Sequence, residues 1–287
     1  MLKQRSAHRT FGGITSYWEH ESSACNSPMR FSVFEPPTRK QLRPPVLYYL
    51  AGLTCTEETF MVKAGAQRFA AAYGIMLVTP DTSPRNTGIP NEDQDWDLGS
   101  GAGFYIDAQQ KPWVQHYRMY SYVTSELPTL IASKWDIDPH RRGIFGHSMG
   151  GHGALVCALK KPEQYLSVSA FAPIAAPTQC PWGKKAFACY LGTDADVWKE
   201  WDASEIVGTT KANYDDILID QGTKDEFLSE QLFPERFLES CRAANQSVTF
   251  RKHDGYDHGY NFISTFIADH MEFHGQRLVE AELPVLG

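Results

Sequence analysis

The sequence lacks any long apolar run and any excess of positive charge. Its 27 Lys and Arg residues are outnumbered by 34 Asp and Glu residues, which gives a formal net charge of −7 at pH 7. Because phosphate binding needs a basic surface, this balance argues against nucleic acid as a partner. No stretch is long and apolar enough to span a bilayer, and the scattered basic residues form no membrane-binding face.

Signals for export, disulfides and metal binding are also scarce. Residues 1–20, MLKQRSAHRTFGGITSYWEH, contain a few basic side chains but no apolar run after them, so we expect no secretory signal there. The six cysteines include no CxxC pair, and the ten histidines show no HExxH or comparable ligand spacing. We therefore expect reduced thiols, a cytoplasmic location and no bound metal.

No linker rich in proline or serine, no low-complexity tract and no internal repeat marks a domain boundary. The length of 287 residues would allow two domains, but α/β folds often reach this size as one. We predict a single domain over residues 1–287, with residues 1–20 as an N-terminal extension to which the sequence assigns no role.

The sequence does contain a regular alternation of short apolar runs and helical patterns. The runs are rich in β-branched and aromatic residues and are apolar throughout, which is typical of parallel strands covered on both faces. Six of them predict strands: VLYYLAG, IMLVTPD, RGIFGH, SVSAFAP, DILIDQG and SVTFRKH. The alternation predicts an α/β fold with a mostly parallel central sheet and helices on both faces. In such folds ligands bind at the carboxyl ends of the strands.

One serine stands between glycines in GIFGHSMGGHG, residues 143–153. Gly146, Ser148 and Gly150 fit the pattern G-x-S-x-G, between a predicted strand and a predicted helix. In an α/β-hydrolase this turn is so sharp that side chains two positions before and after the serine would collide with backbone. The N-terminus of the following helix favours a developing negative charge there. Ser148 is therefore the candidate nucleophile.

A serine hydroxyl needs a base, and in α/β-hydrolases the acid and the histidine follow the serine in that order. Asp225 lies in the loop after the predicted strand DILIDQG, and His258 lies in the Gly-rich loop after SVTFRKH. Both loops leave the carboxyl edge of the sheet, as the serine turn does. We predict a catalytic triad of Ser148, His258 and Asp225.

Other acids compete for the role of Asp225. Glu226 adjoins it in the chain, and we expect its longer side chain to point the other way. Asp220 lies within the predicted strand, while Asp215 and Asp216 precede that strand and so lie at its wrong end.

Other histidines compete for the role of the base. His253 lies closer to its strand and ranks behind His258, which precedes a glycine where the chain can bend. His147 and His152 flank the nucleophile, but neighbours on a tight turn point away from one another. We expect these two to be hydrogen-bonded supports rather than bases.

The oxyanion hole is expected to consist of two backbone N–H groups. One belongs to Met149, directly after the serine. The other comes from a loop after an early strand, which the segment YYLAGLTCTEETF supplies, and Leu53 is its predicted donor.

Longer segments of the chain resemble one family closely. They are YYLAGLTCTEETF, TPDTSPR, WDLGSGAGFYIDA, YRMYSYVTSELP, FGHSMGGHGAL, SAFAPIAAPTQCPWGKKAF, YLGTD, ILIDQGTKDEFL and GYDHGYNF. From about Cys25 to His274, the chain resembles S-formylglutathione hydrolase, also called esterase D. The resemblance implies an α/β-hydrolase fold, no cofactor, and Ser148, Asp225 and His258 as nucleophile, acid and base. The stretches GYN and RNTGIPNEDQD depart from the family pattern and bear on substrate breadth.

The resemblance also implies an activity, which is cleavage of S-formylglutathione to formate and glutathione in the cytosol, the last step of glutathione-dependent formaldehyde removal. It further implies a homodimer. We expect the rate to fall below roughly pH 6.5, where a histidine base becomes protonated.

The alternatives to this function are a general short-chain carboxylesterase, an acyltransferase of related fold and a hydrolase fold used only for binding. A secreted carbohydrate esterase would need the signal that is missing.

Four residues near the predicted site are candidates for substrate binding. Cys55, two residues past the predicted oxyanion donor, either fills the core or lines the pocket, where thiol modifiers would block the site. Trp182, Lys184 and Lys185 lie in PWGKKAF, near the expected mouth. The two lysines either meet the carboxylates of glutathione or are simply solvated.

Overall fold

The structure is a computed structural model that describes residues 2–37, 43–210 and 214–279. Within these residues, nine strands form one sheet in the order β1-β2-β3-β5-β4-β6-β7-β8-β9. The strands are β1 (Lys3–Thr10), β2 (Gly13–Ser22), β3 (Ser27–Glu35), β4 (Val46–Leu50), β5 (Met76–Pro80), β6 (Arg142–His147), β7 (Ser167–Phe171), β8 (Ile217–Gly222) and β9 (Val248–His253).

The sheet joins an antiparallel edge to a parallel core. Strands β1, β2, β3 and β5 pair antiparallel in succession, whereas β5, β4, β6, β7, β8 and β9 pair parallel. Every residue of β4, β5, β7 and β8 is buried. Since successive side chains point to opposite faces, both faces of these strands are covered. The predicted α/β class with a mostly parallel sheet is confirmed.

Helices cover the central strands. They are α1 (Thr59–Lys63), α2 (Gln67–Tyr73), α3 (Met119–Ser121), α4 (Leu127–Lys134), α5 (Met149–Lys160), α6 (Pro181–Leu191), α7 (Ala195–Lys199), α8 (Ala203–Ile206), α9 (Pro234–Ala244) and α10 (Tyr260–Leu278). Helix α5 packs against β4, β6 and β7, and α10 packs against β6, β7 and β8. All of α5 except its last residue is buried, as expected of a helix that is apolar on every side. No helix of the described residues is long and apolar enough to cross a bilayer.

Three strands, β1 to β3, precede the first strand that the sequence predicts. In β1, KQRSAHRT contains no apolar run, and most of its side chains are exposed. An edge strand with a solvated surface offers no apolar pattern by which to recognise it. The described part of residues 1–20, to which the sequence assigns no role, forms β1 and most of β2 at the antiparallel edge of the sheet.

The parallel core determines where the candidate site lies. The carboxyl ends of β4, β6, β8 and β9 meet at one edge of the sheet, because parallel strands run in the same direction. The loop with Leu53 follows β4, Ser148 follows β6, Asp225 follows β8 and His258 follows β9.

Candidate active site

Ser148 joins β6 to α5 in a backbone conformation that residues other than glycine rarely adopt. Its φ is 57° and its ψ is −120°, and such a position persists only where surrounding contacts hold it. The Ser148 N–H donates to the carbonyl of Phe171 at 3.0 Å. Its own carbonyl accepts from the N–H groups of His152 and Ile174 at 3.0 and 3.1 Å. These bonds tie the turn to β7 and α5.

Glycine is required on both sides of this turn. A Cβ at Gly146 would lie 2.2 Å from the carbonyl oxygen of Gly150, and a Cβ at Gly150 would lie 2.0 Å from that of Leu50. Both contacts involve backbone atoms, so no side-chain rotation could relieve them. The close approach predicted from the G-x-S-x-G spacing is present in the structure.

Asp225 and His258, 33 residues apart in the chain, meet at the same edge of the sheet. The Nδ1 atom of His258 lies 2.6 Å from Oδ2 of Asp225. That carboxylate also accepts hydrogen bonds of 2.9 Å from Nε2 of Gln221 and from the N–H of Phe227. It is fully buried, whereas the His258 side chain is 12% exposed. A carboxylate held in this way fixes the proton on Nδ1 and leaves Nε2 as the proton acceptor.

Ser148 and His258 both line a cavity of about 190 Å³. Three aromatic rings lie in series beside the histidine, with centroid separations of 5.0 Å from His258 to Phe227, 4.7 Å from Phe227 to Trp182 and 5.4 Å from Trp182 to Trp96. The remaining lining residues are Gly52, Leu53, Cys55, His147 and Tyr260. A small, mostly apolar cavity with a few converging polar groups suits a small acyl group.

The two predicted oxyanion donors lie beside the serine. Met149 is the first residue of α5, so its N–H has no acceptor within the helix. Leu53 lines the cavity, next to Gly52, whose Cβ would lie only 3.2 Å from the Cβ of Ser148. The role of the two N–H groups stays a prediction, which this placement supports.

The competing acids and histidines lie elsewhere. His258 contacts Asp225 rather than Glu226. Nε2 of His253 lies 3.3 Å from Oδ1 of Asp220, and neither of these residues lines the cavity. The ranking of His258 ahead of its rival agrees with this geometry.

A second Ser–His–Asp series lies inside the fold. Oγ of Ser169 lies 2.8 Å from Nδ1 of His270, and Nε2 of His270 lies 3.3 Å from Oδ2 of Asp220. Arg251 donates two hydrogen bonds of 2.6 Å to the same carboxylate. Burial raises the pKa of Asp220, but hydrogen bonds from His270 and Arg251 outweigh it and hold that pKa below its ordinary value. Because the serine, histidine and aspartate have no exposed surface, substrate cannot reach them. The series ties β7, β8 and β9 to α10.

The expectation that the two histidines flanking the nucleophile are hydrogen-bonded supports rather than bases stays a prediction. Burial lowers the pKa of His147 well below its ordinary value, and the nearby His258 lowers it further; burial lowers the pKa of His152 to about 4. Both rings therefore stay neutral at pH 7. His147 lies 4.4 Å from the ring of His258, and His152 lies 6.2 Å from the rings of Phe104 and Phe187. They are packing residues.

Two of the four candidate substrate-binding residues, Cys55 and Trp182, line the cavity. Burial raises the pKa of the Cys55 thiol, although hydrogen bonds with Thr59 and Tyr260 act in the opposite direction. A thiol with a raised pKa is a weak nucleophile at pH 7. Cys55 is therefore a cavity wall, and its sensitivity to thiol modifiers stays a prediction.

The two candidate lysines do not line the cavity, as far as the described residues define it. Lys184 is exposed. Nζ of Lys185 lies 2.9 Å from Oδ2 of Asp95 and 2.5 Å from Oδ1 of Asp97. Contact of either lysine with glutathione stays a prediction. In the described part of the chain, no group of three or more His, Cys, Asp or Glu side chains is arranged to hold a metal ion.

Three aromatic residues that line the cavity are not predicted as site residues from the sequence: Trp96, Phe227 and Tyr260. Phe227 and Tyr260 each follow a predicted triad residue by two positions, and this proximity is a signal that could have found them. Trp96 lies in the long loop over residues 83–103, where the sequence carries no sign of which side chain folds back to the site.

The parallel sheet, the strained serine turn and the buried Asp–His pair at one edge define a class of protein. That class is the serine hydrolases of the α/β-hydrolase fold. The Esterase family model matches residues 22–273 of the chain.

Curated proteins and a solved structure that are similar to this chain show which family within the class it belongs to. An S-formylglutathione hydrolase of Mus musculus is 53% identical over 278 residues, which are 96% of this chain and 99% of that protein. One of Rattus norvegicus is 51% identical with the same coverage. A solved S-formylglutathione hydrolase from Agrobacterium tumefaciens has a TM-score of 0.93 at 46% identity, covering 96% of this chain and 99% of that one. The chain therefore belongs to the Esterase family and, within it, to the family of these S-formylglutathione hydrolases.

Proposed function

We propose that this protein hydrolyses S-formylglutathione to formate and glutathione, with Ser148 as nucleophile, His258 as base and Asp225 as the acid of the triad. The observation that carries the proposal is the 2.6 Å contact between His258 and the buried carboxylate of Asp225, beside a cavity that Ser148 also lines. The 53% identity to a curated S-formylglutathione hydrolase supports the choice of substrate.

In the first half of the reaction, Nε2 of His258 takes the proton of the Ser148 hydroxyl while Oγ attacks the formyl carbon. The C–S bond then breaks, and the departing glutathione sulfur takes the proton from the imidazolium. A formyl ester remains on Ser148. Asp225 stabilises the imidazolium through Nδ1–H. Because a thiolate leaves more readily than an alkoxide, the demand on His258 as an acid is smaller than in an amidase.

In the second half, His258 takes a proton from water, whose oxygen attacks the formyl carbon. The bond from that carbon to Ser148 Oγ breaks, Oγ takes the proton back, and formate leaves. In both halves the N–H groups of Leu53 and Met149 stabilise the oxyanion, and losing one such donor typically costs about 3 kcal/mol.

The proposal includes a single domain over residues 1–287, a cytoplasmic location, no cofactor and a homodimer. One sheet takes strands from Lys3 to His253, which supports the single domain. The location, the absence of a cofactor and the homodimer rest on the family resemblance.

A general short-chain carboxylesterase is the second candidate, and one observation favours it. The described residues that line the cavity include no Lys or Arg. Without a cation there to pair with the carboxylates of glutathione, the cavity would accept the acyl half of many small esters.

Hydrolysis of S-formylglutathione and of p-nitrophenyl acetate by the wild type and by Ser148→Ala separates the two candidates. We expect a higher kcat/KM for S-formylglutathione, and loss of both activities in Ser148→Ala because the nucleophile is gone. Ser264→Ala, at an exposed serine of α10, is the matched control and should behave as the wild type. A higher kcat/KM for the acetate ester would favour the carboxylesterase. Full activity of Ser148→Ala would exclude Ser148 as the nucleophile.

A further inference from the structure

One lysine holds the chain on both sides of Trp96. Nζ of Lys185 is bound to the carboxylates of Asp95 and Asp97, at 2.9 and 2.5 Å. Lys185 lies in α6, three residues after Trp182. Helical positions three apart share a face, so the lysine and Trp182 stand next to each other. One cation therefore fixes both sequence neighbours of Trp96 to the helix that carries the adjacent cavity wall.

Trp96 is the outermost of the three rings that lead away from His258. Trp96 is 54% exposed, whereas Trp182 is 6% exposed. The two indoles meet edge to face, with centroids 5.4 Å apart and planes at 89°. A largely exposed ring that rests edge-on against one indole needs its backbone held if it is to stay over the cavity.

The ion pairs are suited to that purpose. The side chain of Lys185 is 38% exposed and that of Asp97 is 14% exposed, so the inner pair is only partly screened by water and salt. The hydrogen bond to Asp97 raises the pKa of Lys185 above its ordinary value, which keeps the ammonium charged at neutral pH. Because it contacts both carboxylates, the ammonium group of Lys185 is already paired within the protein.

We propose that Lys185 is a positioning residue that sets the acyl-chain limit of the enzyme by clamping Trp96 over the cavity. The proposal rests on the proposed function in one respect, that the cavity beside Ser148 receives the acyl group. With the clamp closed, the space of about 190 Å³ takes a short acyl group. With the clamp open, Trp96 moves away from Trp182 and a longer chain can enter.

The test is the ratio of kcat/KM for p-nitrophenyl hexanoate to kcat/KM for p-nitrophenyl acetate. We expect this ratio to rise about two- to fivefold in Lys185→Gln, the population shift that loss of pairs of this exposure allows. Lys185→Arg keeps the charge and should restore the wild-type ratio. Lys199→Gln is the matched control, because it removes a lysine that pairs with Asp196 at 2.8 Å on α7, outside the cavity lining.

Two further measurements separate a clamp from a general loss of structure. Raising the salt concentration from about 0.05 to about 1 M should raise the ratio in the wild type but not in Lys185→Gln, because salt screens the ion pairs. In a Trp96→Ala background, Lys185→Gln should have no further effect on the ratio, because the lysine acts through that ring.

The clamp would be overturned if Lys185→Gln changed kcat/KM for the two esters by the same factor. It would also be overturned if the ester ratio of Lys185→Gln matched that of Lys199→Gln. A raised KM for S-formylglutathione with an unchanged ester ratio would overturn it too, and would assign Lys185 to glutathione binding. Because the ester ratio does not involve glutathione, a wild type that fails to cleave S-formylglutathione would end the proposed function while the ratio still tests the clamp.

Discussion

At the scale of single residues, the candidate site depends on backbone atoms that approach more closely than side chains allow. The carbonyl oxygen of Leu50 lies where a Cβ on Gly150 would stand, and Ser148 holds a positive φ two residues before. The hydroxyl therefore has its place because the residues two positions before and after Ser148 are glycine. This requirement is the reason that the motif can be recognised in the sequence.

Gly150→Ala should lower both stability and activity. Its Cβ would lie 2.0 Å from a carbonyl oxygen of β4, so the backbone must shift, and overpacking of this kind costs about 1–3 kcal/mol. We expect the free energy of unfolding in urea to fall by that amount, and kcat/KM for p-nitrophenyl acetate to fall with it. Gly208→Ala is the control, since its Cβ would meet nothing within 4 Å. Wild-type values for Gly150→Ala would refute the account of the turn.

Residue roles that depend on chain order are predictable, and those that depend on the surroundings are not. Asp225 and His258 are found because each follows a strand of the parallel core. Residue type gives no sign that the rings of His147 and His152 will be packed against other rings. The ion pairs of Lys185 depend on a loop about 90 positions earlier in the chain.

At the scale of elements, the loop after β4 is held by the loop after β5. The carbonyl of Cys55 accepts hydrogen bonds from Oγ1 of Thr82 at 2.6 Å and from Nη2 of Arg85 at 3.1 Å. Arg85 in turn donates to both carboxylate oxygens of Asp81, at 2.8 and 2.9 Å. The neighbouring strands thus fix the segment that contains Leu53, the predicted oxyanion donor.

Arg85→Ala should therefore lower kcat more than it raises KM. Without the guanidinium, the loop after β4 loses one of the two described side-chain hydrogen bonds to the carbonyl of Cys55. Since a lost oxyanion donor costs about 10²- to 10³-fold in kcat, we expect a partial loss of about tenfold. Arg43→Ala, which removes an exposed arginine paired with Asp136, is the matched control. An unchanged kcat in Arg85→Ala would show that the loop holds its shape without this contact.

The strands of the parallel core are the ones that the sequence predicts. The six strands β4 to β9 follow from their apolar runs. Strands β1 to β3 do not, because β1 is largely exposed and charged or polar residues interrupt the apolar positions of β2 and β3. Pairing between such strands depends on the neighbouring edge of the sheet, which no local pattern reveals.

At the scale of the whole molecule, burial holds several histidines neutral. Burial is the main cause that lowers the pKa of five of them: His20, His147, His152, His270 and His274. A buried network also links α10 to the sheet, with Nδ1 and Nε2 of His274 at 2.7 and 2.8 Å from Oγ of Ser167 and Ser169. The sequence cannot predict this network, whose partners lie more than 100 positions apart.

The stability of the protein should fall as the pH drops below about 6.5. Each of these histidines has a lower pKa in the folded chain than in the unfolded one, so the unfolded state binds more protons there. The stabilisation present above pH 6.5 is therefore lost on acidification, by up to about 1.4 kcal/mol per pH unit for each histidine. For His152 the loss continues down to about pH 4. The free energy of unfolding in urea, determined at several pH values, measures this loss of stability.

His152→Leu supplies the comparison for that experiment. It removes one titrating group from the core, so the free energy of unfolding should depend less steeply on pH than in the wild type. A wild-type free energy of unfolding that is the same at about pH 7.5 and about pH 5.5 would contradict the account of the buried histidines.

The measurement that tests the central claim most directly is a comparison of Ser148→Ala, His258→Ala, Asp225→Asn and the triple variant on S-formylglutathione. If the three side chains act as one unit, loss of the serine or the histidine alone should lower kcat by about 10⁴-fold or more, nearly as much as loss of all three. Asp225→Asn should also lower kcat strongly, because the amide no longer fixes the proton on Nδ1 of His258. The claim that the three side chains act as one unit would be contradicted if the decrease in kcat of the triple variant equalled the product of the three single decreases. A wild-type rate in any one of the three single variants would contradict it too.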